Sequence, residues 1–303
     1  MALTNSCNHS SHPELELLSS KVFTQYPSAS AIEFNEGKIY VFGDDAPYML
    51  VTDTLFDIKD TVHYLSDTSY RMPKESKADI ESATIRESGG RKILYAMGSY
   101  SGPLRKEVFL FDLENLSMPL EFKNRDLFTD TAVKELNIEG LCMVKERLVM
   151  SNRANTTHRV NQFIITSDFD FRSQKIIKDD IHVINVQLPL QSVAGISGLC
   201  YYSKKDILFF TASEEDTPSA SQDGTINDSY LGWIENFSEK IKNSKISPTH
   251  LLKLSESDRR FIKQKIESVC LEKVSGQDYF LFLAADNDNG QSTLFRVRLH
   301  LPD

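Results

Sequence analysis

The sequence predicts an all-β fold. It reads as a single β-propeller of four-stranded antiparallel blades, five in number with six as the alternative, closed by N- and C-terminal strands in one blade. Three observations lead there: a seven-residue word recurs along the chain, similar strand runs follow each copy, and the two termini complement each other. The word is "DIESATI" around Glu81, "NIEGLCM" around Glu139, "GISGLCY" around Ser197 and "KIESVCL" around Glu267. The third positions are 58, 58 and 70 residues apart, and a weaker copy, "SASAIEF", puts Ser30 in the same slot 51 residues before Glu81. A repeat of this length that reads as short strands marks a radial array of small sheets.

Each interval supports that reading in turn. After each word comes an apolar run ("KIYVFG", "KILYAMG", "RLVMS", "DILFFTA", "YFLFLAA"), then a third ("YMLVTD", "KEVFLFDL", "NQFIITS", "SYLGWIENF", "TLFRVRL"). A fourth run, "DTVHYL", "PLEFKN", "IHVINVQL" or "HLLKL", completes four of the repeats. The last repeat lacks it, and "ELELLSSKVF" at residues 14–23 supplies the missing strand. Polar turns bound these runs, as strands require. The word itself is rich in Gly, Ser, Cys and Leu because the innermost strands crowd the axis. The best helical pattern is "SESDRRFIKQKIE" (255–267), a single connection. Residues 1–13 read as a disordered tail and 14–303 as one propeller domain.

Composition sets bounds on function. With 34 Lys+Arg against 43 Asp+Glu the net charge is −9, and no basic stripe appears, which disfavours nucleic acid as the partner. No run of 18 apolar residues exists, so no transmembrane helix is expected. The opening "MALTNSCNHSSHPE" lacks the features of a secretion signal, which reads as cytoplasmic. The alternative is a periplasmic lipoprotein with its signal removed and Cys7 as the lipid-attachment residue. Cys142, Cys200 and Cys270 all fall at the sixth position of the word and read as thiols packed between repeats. No Cys-x-x-Cys pair or paired His spacing suggests zinc, and no Gly-x-Ser-x-Gly, P-loop or dinucleotide fingerprint is present. A monomer is expected.

Chemistry is expected at the axial mouth. Glu81, Glu139 and Glu267 begin innermost strands and should converge on one opening, where carboxylates repel unless a cation, a basic partner or a proton intervenes. Three readings stay open: a Ca²⁺-type site of oxygen ligands, a carboxylate acid/base pair, and a structural ring. The loops after the second strands add Asp44, Asp45, Asn152, Glu214, Asp286 and Asp288. "DNDNG" (286–290) has the wrong register for a calcium loop and reads as a hairpin turn. Arg71, Lys77, Arg105 and Arg153 stand near these loops; Lys77, Arg105 and Arg153 are the candidates for holding an anion. The polar insertion 213–230 reads as a lid or a surface loop.

Taken together, "YPSASAIEF…KIYVFGDDAPYML", "DIESATI…YAMGSYSGPLR", "LNIEGLCM", "GISGLCYY…FFTASEEDT…QDG" and "LAADNDNGQSTLFRVRL" resemble an uncharacterised family of bacterial β-propellers. That family is itself similar to the esterase-like phytase propellers. The resemblance runs from about Ser28 to Leu301. It implies that Glu81, Glu139, Asp44, Glu214, Asp286 and Asp288 match the family's acidic motifs. It also implies an alternative to simple ligand or cation binding, a Ca²⁺-dependent phosphoesterase. Two departures weigh against the enzyme: Ser197 stands where an acid is expected, and the phosphate-binding basic complement is thin. A protein-interaction scaffold is the third expectation.

Overall fold

The computed structural model describes residues 12–122, 133, 135–166, 181–215 and 225–302. The chain enters through β1 (Glu14–Phe23), which pairs antiparallel with the last strand, β21 (Ser292–His300). The strands form five sheets. The first is β2 (Ala29–Asn35), β3 (Lys38–Gly43), β4 (Tyr48–Asp53) and β5 (Ile58–His63). The second is β6 (Ile80–Ser88), β7 (Arg91–Gly98), β8 (Val108–Asp112) and β9 (Asn115–Phe122). The third is β10 (Ile138–Val144), β11 (Arg147–Asn152), β12 (Asn161–Thr166) and β13 (His182–Val186). The fourth is β14 (Ala194–Tyr202), β15 (Ile207–Glu215), β16 (Ile226–Glu235) and β18 (His250–Lys253). The fifth is β19 (Ile266–Ser275), β20 (Asp278–Asp286), β21 and β1.

The inner strands β2, β6, β10, β14 and β19 touch in that order, and β19 returns to β2, so the ring is closed at five blades. Successive strand residues point to opposite faces, so each blade feeds two seams. Phe210 joins the seam of blades three and four, whereas Phe209 joins that of blades four and five. There is one apolar cluster for each of the five seams, which is why no blade could bury its faces alone. Tight hairpins supply the turns: Glu36-Gly37 and Gly89-Gly90 each place two residues at positive φ, the two-residue turn that matches strand twist.

The helical pattern at 255–267 is realised only in part. A four-residue helix, Leu254–Ser257, and a 3-10 turn, Arg259–Phe261, give way to β19 at Ile266. Ile266 is needed as the first core residue of the inner strand, which overrides local propensity. The fourth interval is the longest because a short helix, Phe237–Lys240, and β17 (Lys245–Ile246) are inserted between β16 and β18. β17 reaches back to pair in parallel with β13, covering the outer edge of blade three. "DNDNG" forms the β20–β21 turn, with Asp288 and Gly290 at positive φ. Of the insertion read as a lid, residues 216–224 lie outside the described residues, as does Cys7. Among the described residues no helix is long and apolar enough to cross a membrane.

Candidate functional site

Every inner strand carries a bulge at or next to the third position of its word. Pairing skips Ser30, Glu81, Glu139 and Glu267, and in blade four it skips Ser197 and Gly198. A bulge leaves one residue unpaired and re-aims its side chain. The repeated irregularity thus delivers the third-position side chains to one end of the channel. Where the slot holds serine the role is cross-blade bonding: Ser30 Oγ donates to the Ile80 carbonyl, and Ser197 Oγ donates to Glu139 Oε2 at 3.1 Å.

The first position of the word, two residues earlier, decides what happens to each glutamate. Asn137 Nδ2 donates to Glu139 Oε1 at 2.6 Å, and Lys265 Nζ lies 3.0 Å from Glu267 Oε1. In blade two the same position is Asp79, a buried second acid. It is held by Lys77 Nζ at 2.8 Å, Arg105 at 3.0 Å and the Ser99 hydroxyl. Asp79 repels Glu81 instead of pairing with it.

The mouth therefore divides into two halves. Towards blades three to five, buried Arg153 donates to Glu139 Oε2 at 2.7 Å and Glu215 Oε2 at 2.9 Å, and lies 3.7 Å from Glu267 Oε1. Lys265 also approaches Glu215 at 3.7 Å. Burial works against the charge of Arg153, yet the three carboxylates outweigh it and raise its pKa. Gly195 is what admits this guanidinium, since a Cβ there would overlap Arg153 Nε and Cγ.

Towards blades one and two, carboxylate oxygens of Asp44, Asp79 and Glu81 lie within 4.8 Å of one another. Lys77 bridges Asp44 and Asp79. Burial opposes its charge, but Asp44, Asp79 and Glu81 raise its pKa. Arg71 holds Asp45. Asp44 Oδ1 and Asp45 Oδ1 are buried without a hydrogen-bond partner. Among the described residues Glu81 has neither a hydrogen bond nor an ion pair. Burial first, then repulsion from Asp79, Glu267, Asp44 and Glu139, pushes its pKa well above the carboxylate range. Burial likewise raises Asp286 to about 7, with Asp44 adding to the shift. Setting the Asp45–Arg71 pair aside, seven carboxylates (Asp44, Asp79, Glu81, Glu139, Glu215, Glu267, Asp286) face four cations (Lys77, Arg105, Arg153, Lys265). Acids outnumber cations at the mouth, so some of them hold a proton or need a further positive charge.

The structure brings most sequence-predicted site residues together. Glu81, Glu139, Glu267, Asp44 and Asp286 form the mouth, and Asp288 lines an adjoining cavity of about 160 Å³ with Asp44, Asp45 and Lys77. Lys77, Arg105 and Arg153 are all engaged by carboxylates. Glu214 points away, accepting from Tyr230 Oη at 2.7 Å and from Ser192 Oγ. Its neighbour Glu215 is the one that meets Arg153, because successive residues face opposite ways and a β15–β16 bulge falls between Ser213 and Glu215. Sequence reasoning missed Glu215, Asp79 and Lys265. For Asp79 and Lys265 the available signal was the first position of the word.

The model of DUF6929, a family of unknown function, matches residues 25–299, and the chain belongs to that family. No curated protein matches the sequence. Among solved structures, glutaminyl cyclase from Myxococcus xanthus superposes with a TM-score of 0.52 at 11% identity, covering 96% of this chain and 98% of that one. An α-L-arabinanase from Cellvibrio cellulosa gives 0.51 at 10% identity, covering 92% and 93%. A GH43 β-1,3-galactosidase gives 0.50 at 10% identity, covering 89% of each. At such identities the likeness extends to the fold alone.

Proposed function

We propose that this member of a family of unknown function binds a small cation at its acidic axial mouth, against Glu81, Asp44 and Asp79. The observation that supports it is Glu81, an unpaired carboxyl placed among four other acids. Such a group is either protonated or stabilised by a bound positive charge. Three carboxylates with oxygens this close offer a hard cation such as Ca²⁺ the donor type it prefers. Lys77 already bridges two of them, so it is a tethered competitor for the same place.

A thermal melt with Ca²⁺ tests this, because a ligand that binds only the native state stabilises by about 2.7 kcal/mol at a hundred times its Kd. Ca²⁺ should raise the melting temperature of the parent and leave Glu81→Gln unmoved. Lys77→Met should bind more tightly once its competitor is gone. No shift at millimolar Ca²⁺ in either the parent or Lys77→Met would sink the cation reading.

The phosphoesterase alternative has less support. Lys77, Arg105 and Arg153, its anion-binding candidates, are committed to buried carboxylates, and a phosphate would have to displace those partners. A scaffold role would rest on an apolar rim, and the groups described above at this mouth are charged.

A further inference from the structure

The other end of the channel holds a second ring, formed by the sixth position of the same word. In chain order it is Glu33, Thr84, Cys142, Cys200 and Cys270. Three residues of strand separate it from the glutamate ring, about 10 Å. Residues 58 and 70 apart in sequence thus meet because the blades close a circle, which spacing rules for metal-binding cysteines do not register. A cavity of about 260 Å³ opens here, lined by Glu33, Thr84, Cys142, Cys200 and the thioether-bearing Met143. All three thiols are free.

Packing explains small residues at this position, and alanine or threonine would serve as well. It does not explain Glu33, a carboxyl facing the thiols within the ring. Cys142 is buried, and among the described residues its thiol makes no hydrogen bond. The donors lining the cavity are two thiols, a thioether and the carboxyls of Glu33 and Glu87, and the Lys92 ammonium at the wall is already engaged by Glu36 and Asn35. Sulfur ligands of this kind select soft d¹⁰ cations over Ca²⁺ or Mg²⁺.

We propose that this cavity binds one soft, thiophilic d¹⁰ cation through Cys142 and Cys200, with Met143 and Glu33 completing its surroundings. Each Sγ–H proton passes to solvent as the sulfur–metal bond forms. Among the described residues, three donor atoms do not yet lie within 4.8 Å of one another here. Rotation about χ1 is the side-chain freedom by which the two thiols would draw together on a metal.

The test is an anaerobic titration of the reduced full chain with Cd²⁺, followed by the ultraviolet sulfur-to-metal charge-transfer band and by proton release. The band should saturate at one Cd²⁺ per chain and release about two protons, one for each coordinating thiol. Cys7→Ser and Glu81→Gln should leave it unchanged, whereas Glu33→Gln should weaken affinity about tenfold. Cys142→Ser with Cys200→Ser should abolish the band. If that double variant does not fold, Cys142→Ala and Cys200→Ala singly decide the same question, each weakening binding about tenfold or more. A missing sulfur band, one that survives loss of both cysteines, or one that follows Cys7 would overturn the proposal.

Discussion

Arg153→Met should be among the most damaging single substitutions at the mouth. The guanidinium makes two short charged hydrogen bonds, at 2.7 Å to Glu139 and 2.9 Å to Glu215, and approaches Glu267 at 3.7 Å. Removing one partner of a buried pair costs about 3–5 kcal/mol, mostly because the abandoned charge stays desolvated. Here three carboxylates are abandoned, and Lys265 alone remains to face two of them. We therefore expect a loss near the upper end, about 4–5 kcal/mol, by equilibrium urea denaturation at neutral pH. Arg153→Lys keeps the charge but cannot hold two carboxylates with separate N–H groups, so about 1–2 kcal/mol should be lost. Adding Glu139→Gln to Arg153→Met should recover part of the deficit, since it removes an unpaired charge. The deficit should also narrow as pH falls and the stranded carboxylates protonate. A loss below about 1 kcal/mol, or a double variant no better than Arg153→Met, would refute the claim that this ion network holds the mouth together.

Two further substitutions probe the mouth and the seams. Asp286 is raised from 3.8 to about 7, so the folded state holds its proton more tightly than the unfolded chain. Stability should then be greatest below the unfolded value, fall between about pH 4 and 7, and flatten above, with at most about 4 kcal/mol at stake. Asp286→Asn should remove that slope in melts across this range while keeping the bond from the Asp288 amide; an unchanged slope would count against burial as its cause. Gly140→Ala would drive a Cβ into the Ser197 carbonyl oxygen and the Ser151 hydroxyl, forcing blades three and four apart at about 1–3 kcal/mol. Denaturation indistinguishable from the parent would mean that seam is looser than described.

The architecture was legible because each blade faces the same packing problem and the chain solves it with the same word. β1 coincides with the run predicted to close the ring, Glu14–Phe23, because strand alternation and the missing fourth strand specify it independently. The charge pattern at the mouth was less legible. Glu214 and Glu215 are equivalent in a sequence, and only a bulge between Ser213 and Glu215 decides which one reaches Arg153. Side-chain pairing across blades also escapes inspection, since Arg153 and Glu215 are 62 residues apart.

What varies within the repeat is more informative about function than what recurs. Ile at the second position is buried in every blade from the second to the fifth, and it is an axial packing residue. The first position differs in all five copies (Ser28, Asp79, Asn137, Gly195 and Lys265), which looks like noise until the ring is closed. There it sets the state of each third-position group. Asn137 donates to Glu139, Lys265 pairs with Glu267, and Gly195 makes room for Arg153. Asp79 alone adds a charge of the same sign beside its glutamate. A purely structural ring gains nothing from an acid there, since asparagine or lysine at the same position would stabilise Glu81 as it does elsewhere. The chain instead spends Lys77, Arg105 and Ser99 on holding Asp79 and leaves Glu81 unpaired. The place to look for a ligand is therefore at the start of blade two, where the sequence departs from its own solution.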